Sequence, residues 1–254
     1  MRSSFWITCL LFTGCLGNEG GPPEVSPSDA NIQNDTTAVA VLALAKRTLI
    51  DVASGRLRGY EYVRERAVSV TDESGKTILE QAHTTRFYGP PDRRTAVVLD
   101  STSFGPEDED FWADYTGAPS REDTVEWSRR LLEEDPLLLS RQGFAYYRYS
   151  VLPDSAIGGA PVMRISVDPL PGSERPGIQS ARFFIERETD ELVGFELEFV
   201  QRSLLFDEES RFRYMLDRAP DGYWLPREVK ISTFLNLPLT KGQYFDLHAR
   251  YMTQ

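Results

Sequence analysis

Residues that hold metals and disulfides are scarce in this sequence. Its 254 residues include two cysteines, Cys9 and Cys15, and two histidines, His83 and His248. Zinc sites take three or four ligands, mostly thiolates and imidazoles, so no zinc site is expected and both histidines are predicted to be structural. A Gly-x-Ser-x-Gly elbow and a glycine-rich phosphate loop are also missing. We therefore expect no metal, no cofactor and no enzymatic activity; a secreted hydrolase with a Ser-His-Asp triad, which geometry alone defines, stays as an alternative.

Basic charge and long apolar runs are limited as well. The sequence has 28 Lys and Arg against 39 Asp and Glu, a net charge of -11. Nucleic acids and anionic headgroups are bound through basic surfaces, so the charge argues against nucleic acid as a partner and against a basic membrane patch. No apolar run approaches the roughly 20 residues that span a bilayer. Membrane attachment, if present, must come from another source.

The N-terminus supplies such a source. Arg2 is followed by the apolar run Phe5–Phe12 and then by Thr13-Gly14-Cys15, the order of a secretory signal. The last three residues resemble the lipobox of bacterial lipoproteins, where signal peptidase II cuts before a lipid-modified cysteine. The resemblance implies a signal peptide over residues 1–14 and lipidation of Cys15. The alternative is an ordinary secretory signal cut at another small residue.

Cleavage before Cys15 would remove Cys9 and leave one sulfur, which the acyl anchor would occupy, so no disulfide is expected. Residues 15–35 are rich in Gly, Pro and Ser and are predicted to be a flexible, lipidated tether. Leu16 stands where an aspartate would favour the inner membrane, so the lipoprotein resemblance implies the outer membrane, facing the periplasm. Residues 36–254 are predicted to form one domain.

The domain begins with a predicted helix over Thr36–Ala53, and a second helix is predicted over Ser120–Glu134. The apolar residues of the first helix recur at helical spacing and extend to more than one side, which predicts wide burial. These residues are Val39, Val41, Leu42, Leu44, Leu49, Ile50 and Val52.

Alternation with a period of two dominates the rest of the domain and predicts up to ten strands. A long hairpin runs from Leu57 to Tyr88, and a third strand follows over Arg93–Ser103. Later strands are predicted at Phe144–Leu152, Val162–Val167, Ala181–Glu188, Leu192–Phe206, Ser210–Arg218, Trp224–Phe234 and Tyr244–Thr253. Short turns between most of them indicate an antiparallel meander, and the fold class is α+β with a large curved sheet.

Four short motifs resemble the LolA/LolB-like lipoprotein-carrier superfamily, which includes RseB-like sensor domains. They are the hairpin turn Glu73–Lys76, the strand end Arg86–Pro90, the strand-turn-strand segment Phe184–Val193 and the turn Asp221–Pro226. The resemblance covers residues 36–254 and implies an unclosed half-barrel capped by helices, with an apolar groove that binds acyl chains. Gly89 stands where soluble carriers have a basic residue, which favours an anchored, receptor-like or sensor-like member over a free shuttle.

An acyl groove would be lined by alternate apolar and aromatic positions on the strands. The predicted ligand-binding residues are Tyr60, Tyr62, Phe183, Ile185, Phe195, Leu197, Phe199, Phe212 and Tyr214. The same residues could simply fill a core. The main hypothesis is therefore a membrane-anchored envelope lipoprotein that binds lipid or lipoprotein acyl chains. The alternative is a non-enzymatic envelope interaction or sensor protein with a filled core and a protein partner.

Overall fold

The computed structural model describes residues 36–53, 61–89, 95–105, 139, 141–172, 177–203, 207–218, 224–236 and 242–253. These residues form one α-helix, α1 (Thr36–Ala53), a short 3-10 helix (Arg141–Ala145) and ten strands. The strands are β1 (Tyr62–Asp72), β2 (Thr77–Tyr88), β3 (Thr95–Phe104), β4 (Tyr147–Ile157), β5 (Ala160–Pro169), β6 (Gly177–Glu186), β7 (Leu192–Arg202), β8 (Asp207–Arg218), β9 (Trp224–Asn236) and β10 (Gln243–Thr253). The predicted signal peptide, tether and second helix, together with Tyr60, lie outside the described residues.

Helix α1 has the predicted bounds. Ala38, Leu42, Ala45 and Leu49 are buried at intervals of three and four residues, which places them on one side of the helix. The predicted extension of burial to Ile50 is wrong, because this side chain is 52% exposed. α1 packs against β4, β6 and β7 through that one side.

All ten strands pair antiparallel in one sheet of order β3-β2-β1-β10-β9-β8-β7-β6-β5-β4. The predicted meander is confirmed, since neighbours in the chain are neighbours in the sheet at every step except that from β3 to β4. β1 pairs with β10, and β3 and β4 are the two edges. The sheet is therefore curved and unclosed, as the half-barrel prediction requires.

The two faces of the sheet differ in composition. The inner face is the one that carries the buried apolar positions of each strand, in register from β1 to β10 and on to β4. Its fully buried large side chains include Phe183, Phe195, Tyr214, Ile231 and Phe245. The outer face carries Arg, Glu and Lys across the same strands. This alternation is the pattern of an antiparallel sheet that covers a core on one side.

The start of β4 departs from the prediction. Phe144 was expected in a strand, but it lies in the 3-10 helix, and β4 begins at Tyr147. The ring of Phe144 packs edge-on against Tyr149 with 5.2 Å between centroids. Among the described residues, no helix is both long and apolar enough to cross a membrane.

Candidate functional site

Six of the predicted ligand-binding residues lie together on the inner face of β6, β7 and β8. Their exposed fractions are 0–2%, and a side chain with no accessible surface borders no space that a water molecule could enter. The six are Phe183, Ile185, Phe195, Leu197, Phe212 and Tyr214. In this structure they form the central core beneath α1.

Ring contacts hold this core together. Phe195 lies 5.0 Å from Tyr214 and 6.5 Å from Phe183, measured between ring centroids. Phe199, a seventh predicted residue, is only partly buried and packs edge-on against Phe212 at 6.4 Å. Aromatic pairs at such separations contribute about 0.5–1.5 kcal/mol beyond the area they bury.

Tyr62, the remaining described candidate, occupies a different part of the inner face. Its ring stacks on Phe87 of β2 at 4.8 Å and packs against Tyr251 of β10 at 5.7 Å. All three rings are partly exposed. We call Tyr62, Phe87 and Tyr251 the aromatic patch. It lies on the same face as the buried Val68 and Val70 and is therefore continuous with the core.

Cationic groups adjoin the aromatic patch. The guanidinium carbon of Arg64 lies 5.0 Å from the ring centroid of Phe87, within cation–π distance. Arg66 and His83 are paired in register and follow on the same face. Burial and the nearby charges of Arg66 and Arg64 lower the pKa of His83 below its ordinary value, so its neutral form is favoured.

A buried polar cluster lies elsewhere on the inner face. The Ser210 hydroxyl donates to Oε1 of Glu208 at 2.7 Å, and it lies 2.9 Å from Oγ1 of Thr233. All three residues are at most 5% exposed. The sequence analysis missed this cluster, although Ser210 and Glu208 alternate with the charged residues of β8 that face outward. Among the described residues, no group of three metal-ligating side chains could hold a metal ion.

The outer face forms shallow grooves lined by charged side chains. One groove on the outer face, about 440 Å³, runs across β6–β9. Within it, Glu196 lies 3.5 Å from Arg213 and 3.8 Å from Arg182. These pairs are partly exposed to solvent, so each contributes little to stability.

One outer-face cluster contains the second histidine. Oε1 of Glu228 lies 2.8 Å from Nε2 of His248 and 3.1 Å from Nζ of Lys230. Burial raises the pKa of Glu228, but the hydrogen bonds from His248 and Lys230 outweigh it, and the net effect lowers that pKa. His248 is thus held in a hydrogen-bonded cluster with Glu228, and its structural role stays a prediction.

Comparisons with known proteins give similarity to solved structures alone. No family model and no curated protein matches the sequence. A DUF1329 family protein from Desulfovibrio piger matches with 12% identity and a TM-score of 0.30, and a domain described as an outer membrane lipoprotein-sorting protein from Vibrio parahaemolyticus with 13% and 0.29. A LolA superfamily protein from Nitrosomonas europaea matches with 11% and 0.27. Each match covers 85% of this chain and 93% of the other. The superfamily that the sequence motifs resemble is thus among the matches, and similarity at this level assigns no function.

Proposed function

We propose that this protein binds an acyl chain of a lipid or lipoprotein on the inner face of its sheet, with the aromatic patch as the entry. The partly exposed rings of Tyr62, Phe87 and Tyr251 carry the proposal, because they extend the apolar core to the surface. Each methylene transferred from water to such a surface contributes about 0.8 kcal/mol. The four motifs that resemble lipoprotein carriers support the same ligand class.

The aromatic patch adds Phe87 and Tyr251 to the ligand-binding residues that were proposed from the sequence. The six predicted residues on β6–β8 are only 0–2% exposed, so an acyl chain reaches them only if α1 or the surrounding side chains move. The aromatic patch needs no such movement. Arg64 beside Phe87 places a positive charge next to it, which would suit an anionic headgroup at the end of the acyl chain.

Binding can be tested with a dansyl-labelled fatty acid and the chain without its first 15 residues. We expect the emission of the probe to rise on binding, and Tyr251→Ala to weaken binding about two- to tenfold, the range expected for loss of an aromatic contact. Tyr244→Ala is the matched control: it removes the same side chain from the same strand on the outer face, where Tyr244 is 47% exposed. Equal losses in both variants, or no uptake at all, would overturn the proposal.

The full burial of six predicted residues favours a second candidate, a non-enzymatic envelope interaction or sensor protein with a filled core. Mass spectrometry of an organic extract of the purified protein distinguishes the two candidates. Copurified lipid supports acyl binding. An extract free of lipid, together with no uptake of the probe, supports the interaction protein.

The lipobox motif supports placing either activity at a membrane, with Cys15 as the anchor and the outer membrane as the destination. We expect the intact chain to fractionate with membranes and Cys15→Ala to remain in the periplasmic fraction, because a cysteine sulfur is needed to form the thioether to lipid. Cys9→Ala is the control, since it changes a cysteine within the predicted signal peptide. Membrane fractionation of Cys15→Ala equal to that of the intact chain would contradict the anchor.

A further inference from the structure

The edge strand β3 is exposed along its whole length. All ten of its residues are exposed, including Val98 at 59%, Leu99 at 54% and Phe104 at 62%. Among the described strands, β2 is the one that pairs with β3, and no described strand pairs with the other edge of β3. Leu99 is the extra residue of a bulge opposite Thr84 and Thr85, and it adds an apolar side chain to this edge. Exposed apolar edge strands are templates for pairing with another chain.

The opposite edge, β4, is protected. Pro153 lies within β4 and cannot donate a ladder hydrogen bond, and its carbonyl accepts from Nε of Arg164 at 2.9 Å. A register shift between Leu152 and Ser155 further interrupts this edge. Asp154 adds a charge, held by Arg187 at 2.6 Å. Proline, an irregularity and charge are features by which proteins block edge pairing. β3 also has a bulge and a charge but no proline, so the proline of β4 is what distinguishes the two edges.

Charge on the outer face indicates what would pair with β3. Glu228, Arg250, Glu65, Thr84 and Asp100 follow one another in register across β9, β10, β1, β2 and β3. Glu228, Arg250 and Glu65 alternate in sign, Thr84 is neutral, and the row ends at the exposed carboxylate of Asp100. A cationic side chain opposite Asp100 on an added strand would pair with this carboxylate, and opposite charges across strands stabilise a sheet.

We propose that β3 is a strand-addition site for an extended peptide segment of a protein partner, apolar in composition with one Lys or Arg opposite Asp100. Backbone hydrogen bonds would supply affinity, and alternate side chains would supply specificity. The net charge of -11 disfavours a second copy of this chain as the occupant and favours a cationic segment. The site lies on the β3 edge, whereas the aromatic patch lies on the inner face of β1, β2 and β10, so the site does not depend on acyl binding.

The test uses the full chain and a fluorescein-labelled peptide, Thr-Val-Lys-Val-Thr-Val. We expect its fluorescence anisotropy to rise on titration with the protein. N-methylation of one alternate set of its amides should abolish binding, while N-methylation of the other set should not, because only one set faces the partner strand. Equal binding of both methylated peptides would show non-specific apolar contact and overturn strand addition.

The role of Asp100 is tested by charge exchange. Asp100→Asn should weaken binding of the lysine peptide about two- to fivefold, the range of a cross-strand ion pair, and should not affect a peptide with Gln for Lys. Asp190→Asn is the matched control, since it removes an exposed acid from the β6–β7 turn, where asparagine tolerates the positive φ of 56°.

Sedimentation of the full chain without peptide tests the second copy as the alternative occupant. We expect a monomer. A dimer that Val98→Lys dissociates would mean that a second copy occupies β3, and it would overturn the assignment to a peptide partner.

Discussion

The protonation of His83, on the inner face, links the stability of the protein to pH. Its pKa is lowered by burial and by the charges of Arg66 and Arg64, so the unfolded state takes up a proton at a higher pH than the folded state does. Stability should therefore fall as the pH drops below about 6.5, the ordinary pKa of histidine. We expect the free energy of unfolding to decrease more between about pH 8 and pH 5.5 in the native chain than in His83→Gln. NMR titration of the imidazole should show the lowered pKa, and Arg66→Gln should raise that pKa. An equal change of the free energy of unfolding with pH in the native chain and in His83→Gln would contradict this role.

At the scale of single residues, the alternation of apolar residues predicted which side chains point to the inner face, but not which of them are in contact with one another. Phe183, Phe195 and Leu197 follow the period-two rule along β6 and β7, and all three are buried. Tyr62 was predicted for the same face, yet its partners Phe87 and Tyr251 were not, because Tyr251 is its neighbour only through the pairing of β1 with β10. A contact between residues so distant in the chain leaves no local pattern in the sequence.

At the element scale, a hydrogen bond connects helix α1 to the sheet. The backbone N–H of Leu192 donates to Oγ1 of Thr48 at 3.3 Å, and Thr48 is 5% exposed. Thr48→Val should lower the free energy of unfolding by about 1–3 kcal/mol, because it leaves a buried donor unsatisfied at the start of β7. Thr48→Ser keeps the hydroxyl and should cost only about the loss of one methyl group, near 0.8 kcal/mol. Urea unfolding measures both; a valine variant as stable as the serine variant would exclude the role of this bond.

Whole elements were predictable where local signals were strong. The bounds of α1 follow from its apolar spacing, and the hairpins β6–β7 and β8–β9 follow from short polar turns. The start of β4 was not predictable, because Phe144 is as suited to a strand as Tyr147 and only packing against Tyr149 distinguishes them. The exposure of β3 was not predictable from the sequence either, since its run of Val97, Val98 and Leu99 is typical of a buried strand.

At the scale of the molecule, the charge separates by face. Acidic and basic side chains alternate across the outer face, while the inner face keeps its few charges near the aromatic patch and in the Glu208 cluster. The net charge of -11 follows from the composition, but the arrangement of the charged side chains depends on strand register. The arrangement makes one face of the sheet mainly apolar and the other mainly charged.

The pairing of β1 with β10 has a consequence for how the molecule forms. Eight of the nine strand pairings join chain neighbours, whereas this one joins Tyr62 to Thr253 and Asp72 to Gln243. Closing so long a loop costs conformational entropy before the contacts between β1 and β10 can form, so we expect this step to limit the folding rate.

The folding order can be tested by two substitutions. Val68→Ala, at the junction of β1 and β10, should slow refolding in stopped-flow experiments. Val167→Ala, which is within a hairpin and equally buried, should chiefly accelerate unfolding. Equal slowing of refolding by the two substitutions would contradict the expected order, in which β1 and β10 pair last. In this expected order, β1–β3 and β4–β10 form as two meanders that pair last, so the aromatic patch, which spans their junction, would form only when β10 pairs with β1.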